Sequence, residues 1–233
     1  MEKNKTGKYF KYAIGEIVLV VIGILIALQI NNWNEGRKSI QKGHEVLVDI
    51  RENVKFNTIQ FQKDIEITRN VINSIDIILK NITDTKVYND SLGKHLRRAT
   101  YWETSRWKSS GYAALINHGV EIIQSKKLRE AIIDLYEISY PELSEYTRLS
   151  EGNFPVILPK WLELIEREST AFSTFLEHKS SPFDYQEIIE SRIFRSILTF
   201  LRSQRVVEIQ LRNSSIEKNQ ELIELIDKEI LKK

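Results

Sequence analysis

The pattern of apolar and polar positions separates one segment from the rest of the chain. From Ile17 to Leu28 no side chain is polar, whereas the later segments mix apolar and polar residues. A helix from Tyr12 to Trp33 would span roughly 30 Å, the thickness of the hydrocarbon core of a bilayer. Aromatic side chains at both ends suit the two membrane interfaces. The pattern therefore predicts a transmembrane helix over residues 13–33.

Two other interpretations of this segment fit the sequence less well. A cleaved signal peptide would require small residues at a cleavage site, but the apolar run leads into INNWNEGRK, residues 30–38, which has no A-x-A pattern. A buried helix of a soluble domain would normally carry a polar stripe, and this run has none. We therefore interpret the segment as a membrane anchor.

The flanking charges bear on the orientation of the anchor. Lysines precede the helix at Lys3, Lys5, Lys8 and Lys11, and basic residues follow it at Arg37, Lys38 and Lys42. This bias is weak, but translocation of a short lysine-rich tail is unfavourable, whereas long domains translocate largely regardless of charge. We therefore expect residues 1–12 to be a cytoplasmic tail and residues 34–233 to form a domain outside the cytoplasm.

Four residues of the predicted anchor are unusual for a purely lipid-facing helix. Glu16 lies about one turn inside the first interface and Gln29 near the second, while Gly23 and Ala27 form a small-xxx-small pair. Glu16 either reaches the interface or faces the inside of a helix bundle, where it would bind a cation, a proton or a partner's lysine. Gly23 and Ala27 either are tolerated or permit close helix packing.

Two blocks of the sequence resemble a known family. KYFKYAIGEIVLVVIGILIALQINNWNE, residues 8–35, and SSGYAALINHGVEIIQSKKLREAIIDLYE, residues 109–137, are similar to a family of uncharacterised membrane proteins from Bacteroidota, especially flavobacteria. The resemblance implies a Gram-negative inner membrane and a periplasmic domain. It implies neither a reaction nor catalytic residues.

Beyond the anchor, residues 31 to about 82 are predicted to form one long helix. Its seam has three- and four-residue steps up to Phe61, then one extra four-residue step to Ile65, which resembles a stutter in a heptad repeat. Polar groups at Asn57 and Thr68 lie on this seam, where they can fix register. The predicted seam is Leu47, Ile50, Val54, Asn57, Phe61, Ile65, Thr68, Ile72, Ile75, Leu79 and Ile82.

Shorter helices are predicted between this helix and a long C-terminal one. The predicted elements are a loop at 83–93 with Asp90 or Ser91 as N-cap, helices at 111–117, 126–138 (continuing through a kink at Pro141 to 149) and 159–168, and a last helix from Tyr185 almost to Lys233. Ser125 caps the second of these helices, Gly119 closes the first, and Asp184 with Glu187 has capping-box spacing. Prolines and glycines are few, at 4 and 9. The fold class is therefore all-α, an antiparallel bundle with two long terminal helices.

The last helix has a predicted seam of its own, formed by Ile189, Ile193, Ile197, Phe200, Val207 and Leu211. Between Arg212 and Glu221 only Ile216 is apolar, so we expect that part to be solvated. An apolar face returns at Leu222, Ile223, Leu225, Ile226, Ile230 and Leu231, which would pack on the first long helix or on a neighbouring chain.

Composition and motifs exclude several function classes. The net charge is +2, so no electrostatic argument favours nucleic acid, and the absence of cysteine excludes disulfides, thiolate metal sites and a cysteine nucleophile. The chain has no HExxH, GxSxG, phosphate-loop or GxGxxG motif. His118 and Glu121 have the spacing of half a metal site, but no second pair matches them. Glu163, Glu166 and Glu168 are interpreted as a solvated face. We expect no catalytic residues, cofactor or metal.

The segment HLRRATYWETSRWKSSGY, residues 95–112, is the strongest candidate for a binding surface. Its basic residues alternate with aromatic ones, a combination that favours carboxylates, phosphates, sugar faces or a partner protein. Aromatic side chains can equally fill a corner between short helices. The candidate residues are Arg98, Trp102, Arg106, Trp107 and Tyr112, for a small anionic ligand or a sugar.

Three functional hypotheses follow. The first is a membrane-anchored interaction or scaffold protein without catalysis, in contact with the bilayer and with a second copy or another membrane protein. The second is a ligand-sensing helical ectodomain, and the third is an accessory subunit of an ion-driven membrane complex that uses Glu16. An enzyme of an unfamiliar kind is a fourth alternative, because folds do not determine functions.

Overall fold

The computed structural model describes residues 5–167 and 179–231, with side chains described from Ile14 onwards. Its elements are α1 (Lys5–Lys80), a π-helical turn (Asn81–Thr85), α2 (Ser91–Ala99), α3 (Ser110–His118), a 3₁₀ turn (Val120–Ile122), α4 (Lys126–Ile133), a π-helical segment (Asp134–Ser139), α5 (Tyr140–Gly152), α6 (Phe154–Leu164), β1 (Ile165–Arg167), β2 (Ser180–Pro182), α7 (Tyr185–Glu190) and α8 (Arg192–Ile230). The all-α prediction is confirmed, with one short antiparallel strand pair between β1 and β2.

Helix α1 is continuous from the predicted anchor into the bundle. Its 76 residues contain no proline, and its last turn widens into the π-helical segment before Lys86 takes a left-handed conformation with φ of 54°. Gly43 is the first buried residue of α1 among those whose side chains are described, and a Cβ there would lie 2.4 Å from the carbonyl oxygen of Ile122. The predicted long N-terminal helix is confirmed.

Helix α8 lies antiparallel to α1. Four pairs join the helices, and the two residue numbers of each pair add to nearly the same total, as antiparallel pairing requires. The pairs are Arg51 with Asp227 at 2.8 Å, Thr58 with Asn219 at 3.0 Å, Asp64 with Arg212 at 3.9 Å and Asp76 with Arg202 at 2.6 Å. Leu222 and Ile226 are buried among residues that include Val46 and Leu47 of α1, so the apolar end of α8 packs on its own chain's first helix.

The segment from α4 to α5 is one helix with a π-helical segment in its middle. Ser125 Oγ accepts a hydrogen bond of 3.3 Å from the Leu128 N–H, which confirms the predicted cap. The π-helical segment ends at Ser139, and Pro141 lies in the first turn of α5, where a residue without an N–H is tolerated. The predicted continuation past Pro141 is confirmed.

Three predicted boundaries are wrong, each for a local reason. Helix α6 begins at Phe154 rather than at Pro159, because Pro155 occupies the first turn, and it ends at Leu164. Glu168, the predicted end, lies outside the described residues. The last helix is broken at Ser191, which has an extended backbone. Its side chain accepts a hydrogen bond from the Phe194 N–H and so caps a new helix, α8.

Two predicted caps also differ in their partners. Asp184 accepts from Gln186 N–H at 2.8 Å, while no bond is described from its side chain to the N–H of Glu187 that a capping box requires. At the start of α2 the Ser91 N–H donates a hydrogen bond of 3.1 Å to the side-chain oxygen of Asn89, and the side chain of Asp90 makes no capping bond.

The core consists of two apolar clusters separated by a polar layer. The cluster nearer the anchor includes Val46, Leu47, Ile50, Val54, Phe61, Leu115, Ile132, Tyr140, Leu222 and Ile226. The distal cluster includes Val71, Ile75, Ile78, Ile82, Leu96, Trp161, Phe194, Leu198 and Leu201. Between them lie buried polar residues of both long helices: Asp64, Thr68, Gln204, Arg205, Glu208, Arg212, Ser215 and Asn219.

The buried face of α1 keeps one heptad spacing and shows no stutter. Asp64, Val71 and Ile78 are buried, whereas the predicted seam residues Ile72 and Leu79 are only half-buried. The predicted stutter is therefore wrong. The error arose because a carboxylate at residue 64 hid the true seam position, although Ile65 beside it is also buried.

The buried face of α8 differs more strongly from its prediction. Ile193 and Phe200 are exposed, and of the predicted seam only Ile197 is in the buried core. The segment from Arg212 to Glu221, predicted to be solvated, contributes Arg212, Ser215 and Asn219 to the interior. The prediction failed because the middle of this seam is polar, and a pattern of apolar residues cannot reveal it.

Candidate functional site

The apolar segment of α1 stands clear of the bundle. Side chains from Ile14 to Ile30 are exposed, and by length and composition this helix is long and apolar enough to cross a membrane. Glu16, Gly23, Ala27 and Gln29 are all exposed. A Cβ added at Gly23 would meet nothing within 4 Å. Helix packing through these four residues therefore stays a prediction.

A cluster of four buried charges occupies the polar layer between the two apolar clusters. Glu208 pairs with Arg205 at 2.6 Å and with Arg212 at 3.5 Å, and Arg212 lies 3.9 Å from Asp64. These four side chains are at most 4% exposed. Two guanidinium groups thus balance two carboxylates, which makes the burial tolerable. We call these residues the ionic cluster.

The ionic cluster binds the backbone of one irregular loop, residues 101–109. Arg205 donates to the Tyr101 carbonyl oxygen at 3.2 and 3.3 Å, and Arg212 donates to the Glu103 carbonyl oxygen at 3.0 Å. Ser105 Oγ accepts from Arg212 and donates to Asp64, at 3.0 and 3.2 Å. Hydrogen bonds with a charged donor or acceptor are stronger than neutral ones, so this part of the loop is fixed firmly to the interior of the bundle.

Two asparagines of α1 hold the end of the same loop. Asn57 is fully buried, accepts from the Lys108 N–H at 2.7 Å and donates to the Lys108 carbonyl oxygen at 3.0 Å. Asn53 accepts from the Gly111 N–H at 3.0 Å, where α3 begins. The predicted polar residue Asn57 therefore fixes the position of the 101–109 loop on α1.

The outer face of this loop forms one side of a cleft of about 520 Å³, and α1 forms the other. The side chains that matter for recognition are Phe56, Gln60, Tyr101, Trp102, Glu103 and Arg106. The Trp102 ring contacts Phe154 edge-on, with ring centroids 4.4 Å apart. Lys108 Nζ lies 3.9 Å from the Phe56 ring centroid. The cleft thus has aromatic walls that are held in place by their own contacts.

The charges in the cleft are separate from each other. The Tyr101 hydroxyl donates to Glu103 at 2.5 Å, and this hydrogen bond, with burial and the charge of Glu103, raises the pKa of Tyr101 to about 12. Within residues 5–167 and 179–231, no ion pair involves Glu103 or Arg106. One carboxylate and one guanidinium therefore face the cleft without neutralising each other.

The structure brings together two of the five residues predicted for a binding surface. Trp102 and Arg106 line the cleft, and Arg98 lines a neighbouring hollow beside Tyr101. Trp107 packs on the Tyr140 ring at 5.3 Å, and Tyr112 stacks on Tyr136 at 4.7 Å, so both rings fill a corner between helices. The corner interpretation of the 95–112 segment therefore describes Trp107 and Tyr112, and the binding-surface interpretation stays a prediction for Trp102 and Arg106.

Sequence reasoning missed the half of the cleft contributed by α1. Phe56 and Gln60 are one helical turn apart and lie off the buried seam. Phe56 is 42% exposed, and an exposed aromatic residue beside a seam was the one available signal. Only the folded chain shows that this face lies opposite the 101–109 loop.

No metal site is evident in the described part of the chain. Within it, no three His, Asp or Glu side chains are grouped so that they could hold a metal ion. His118 is exposed at the end of α3, and His178 lies outside the described residues. The expectations of no cofactor and no catalysis stay untested predictions.

Comparison with known proteins identifies a family. A model with the description "Family of unknown function (DUF6090)" matches residues 16–156, more than half of the chain. The match includes the apolar segment of α1 from Glu16 onwards and all the residues of the cleft named above. No curated protein and no solved structure matches the chain.

Proposed function

The chain belongs to this family of unknown function, and we propose that it is a single-pass membrane protein whose helical domain acts outside the cytoplasm as a non-enzymatic interaction or scaffold module. The observation that carries the proposal is the exposed apolar segment from Ile14 to Ile30, which continues without a break into the bundle. This segment is roughly 25 Å of helix, close to the thickness of a bilayer core. An apolar surface of this size requires lipid or an apolar partner to cover it.

The charges at the two ends of the segment support an orientation. The lysine-rich tail before residue 13 favours retention in the cytoplasm, and the bundle would then lie in the periplasm of a cell with an inner membrane. At the other end of the segment, Arg37 lies over the Trp33 ring at 5.8 Å, a pair suited to the membrane interface. Residues 31–42 form a polar neck between the membrane and the bundle.

Two features support association within the membrane. Gly23 and Ala27 are four residues apart on one helix face, so a second helix can approach closely there. Glu16 and Gln29 carry polar side chains, and hydrogen bonds to a partner helix would lower the free-energy cost of placing them in the membrane. The partner is a second copy of this chain or another membrane protein.

The test of anchoring uses two matched arginine substitutions on α1. Ile24→Arg places a charge in the middle of the apolar segment, whereas Ile40→Arg places it in the polar neck, and both side chains are exposed in the structure. A central arginine costs about 2.5–3.5 kcal/mol of insertion free energy. We expect Ile24→Arg to reduce the membrane-bound fraction while Ile40→Arg leaves it unchanged. Equal membrane association of the two variants would reject the anchor.

Association is tested by the mass of the full-length chain in nanodiscs. A defined oligomer that dissociates in the Gly23→Leu and Ala27→Leu variants supports self-association, and co-purification of another membrane protein supports a heteromeric scaffold. A chain that is monomeric and without a partner would contradict the scaffold proposal. Accessibility of single introduced cysteines tests the orientation, because the natural sequence has none.

The cleft at Trp102 and Arg106 favours a second candidate function, ligand sensing by the same domain. The cleft is preformed, and its loop is held by buried side chains. In this candidate function, a signal would pass to the cell through a partner in the membrane.

A further inference from the structure

The arrangement of the ionic cluster indicates that its role is to position the 101–109 loop. Buried ion pairs cost about as much in desolvation as they return, and apolar replacements of similar shape are often neutral or stabilising. Four buried charges inside a bundle are therefore poorly explained by stability alone. Apart from the bond that Gln60 donates to Asp64, the side-chain hydrogen bonds of the cluster to the rest of the chain meet at one place, the backbone at Tyr101 and Glu103 and the hydroxyl of Ser105.

The consequence of this anchoring appears on the outer side of the loop. Carbonyl groups at residues 101 and 103 point inward to Arg205 and Arg212, while the side chains of Trp102, Glu103 and Arg106 line the cleft. Loops that bind ligands are typically presented in this way by a rigid scaffold. Pre-organisation of the loop lowers the entropy cost of binding.

The chemistry of the cleft restricts its ligand. Arg106 offers a planar guanidinium that suits a carboxylate, and Glu103 offers a carboxylate that suits an ammonium group. The Trp102 ring is a surface for an apolar group or a cation. A purely anionic ligand would meet the charge of Glu103, and a neutral sugar would use both groups only as hydrogen-bond partners without pairing either charge. The cleft of about 520 Å³ lies within the usual range for sites of small molecules.

We propose that this cleft binds a small zwitterion with an apolar body, in the manner of an aromatic or aliphatic α-amino acid. Its carboxylate contacts Arg106, its ammonium group contacts Glu103, and its apolar body lies against Trp102 and the exposed edge of Phe56. The proposal names the ligand class of the sensing function given above. It does not depend on the anchor, so failure of membrane insertion would leave it standing.

The test compares three probes that share one ring and differ in charge. L-phenylalanine carries both charges, 3-phenylpropionate only the carboxylate, and phenethylamine only the ammonium group. Titration calorimetry with the full-length chain in nanodiscs should give the tightest binding for L-phenylalanine, by about tenfold over each singly charged probe, which corresponds to about 1.4 kcal/mol.

Two conservative substitutions test which charged group of the ligand each side chain contacts. Arg106→Gln should weaken L-phenylalanine and 3-phenylpropionate about tenfold and leave phenethylamine unchanged. Glu103→Gln should weaken L-phenylalanine and phenethylamine and leave 3-phenylpropionate unweakened. Gln at residue 103 can still accept the Tyr101 hydroxyl proton, and circular dichroism checks that both variants fold. Arg69→Gln is the matched control, since Arg69 is an exposed arginine of α1 outside the cleft.

Four results would overturn the proposal. The first three are the absence of saturable L-phenylalanine binding up to about 10 mM, equal binding of the three probes, and binding that Arg106→Gln and Glu103→Gln do not alter. Tighter binding of 3-phenylpropionate than of L-phenylalanine would also reject a zwitterion in favour of an anion. Monomeric protein or failed membrane insertion, by contrast, would bear on the anchor and scaffold proposal alone.

Discussion

The Arg212 guanidinium of α8 lies opposite the Asp64 carboxylate of α1, with Nε 3.9 Å from Oδ2 and both side chains fully buried. Burial raises the pKa of Asp64, while the hydrogen bond from Gln60 and the charge of Arg212 act in the opposite direction. This pair links the two long helices at the level of the 101–109 loop. It also makes the centre of the bundle depend on charge balance.

Removal of one member should therefore be costly. Arg212→Met would leave Asp64 and Glu208 buried with Arg205 alone, and we expect the free energy of unfolding to fall by about 3–5 kcal/mol. Arg202→Met is the matched control, because Arg202 pairs with Asp76 across the same two helices but both side chains are more than 40% exposed. An exposed pair contributes about 0–1 kcal/mol. Chemical denaturation of the full-length chain in detergent measures both, and equal losses would contradict the role of the ionic cluster.

The unbroken heptad seam of α1 gives a second prediction. Ile78 is 2% exposed, whereas Ile72, assigned to the core by the sequence pattern, is only half-buried. Ile78→Ala should cost about 2–5 kcal/mol of unfolding free energy, because it opens a cavity in the distal cluster. Ile72→Ala removes the same atoms and should cost clearly less. A larger loss of unfolding free energy for Ile72→Ala in the same denaturation experiment would support the predicted stutter and contradict the unbroken heptad seam.

Much of the fold could be predicted from the sequence, and the part that could not has one physical cause. Apolar periodicity and caps located the helices because burial of apolar residues and satisfaction of end groups are local requirements. The seam of α8 runs through Arg205, Glu208 and Arg212. Burial of a polar residue depends on hydrogen-bond and charge partners that are distant in sequence, so the local pattern does not predict it. Asp64 concealed the α1 seam for the same reason.

The candidate site was predictable to a similar extent. The 95–112 segment identified Trp102 and Arg106 because both lie on the loop itself. Phe56 and Gln60 could not be assigned, since their place in the cleft depends on tertiary packing of the loop against α1. Glu103 is the single acidic residue of that segment and was not among the predicted residues, yet it changes the ligand class that the cleft suits.

Close backbone contact between α1 and α3 gives a third prediction. A Cβ at Gly111 would lie 2.6 Å from the backbone nitrogen of Ile50 and 2.9 Å from the carbonyl carbon of Asp49. Gly111→Ala should therefore force the helices apart and cost about 1–3 kcal/mol or more, as overpacking does. At Gly152, in the last turn of α5, an added Cβ meets nothing within 4 Å. Gly152→Ala should be neutral or stabilise by about 0.4–1 kcal/mol. Thermal unfolding compares the two variants, and a harmless Gly111→Ala would contradict the close approach.

His95 gives a prediction for the dependence of stability on pH. Burial, and then the charges of Lys94 and Arg98, lower the pKa of His95 from its ordinary value of 6.5. Its Nδ1 lies 3.1 Å from Ser74 Oγ, and because that hydroxyl donates its proton to the Asn70 carbonyl oxygen, the imidazole donates to Ser74. The folded chain thus favours neutral His95 with the proton on Nδ1.

The sign of the effect follows from the lowered pKa. Between the folded and the unfolded pKa, the unfolded chain binds more protons, so the contribution of His95 to stability is complete above 6.5 and is lost as the pH falls through that value towards the folded pKa. His95→Gln does not titrate there, and its amide can still donate to Ser74. The free energy of unfolding of the natural chain minus that of His95→Gln should therefore decrease between about pH 7.5 and pH 5. The other histidines titrate in both proteins and cancel in the difference. A difference that is constant across this range, or that increases on acidification, would show that the folded chain does not disfavour the charged imidazole.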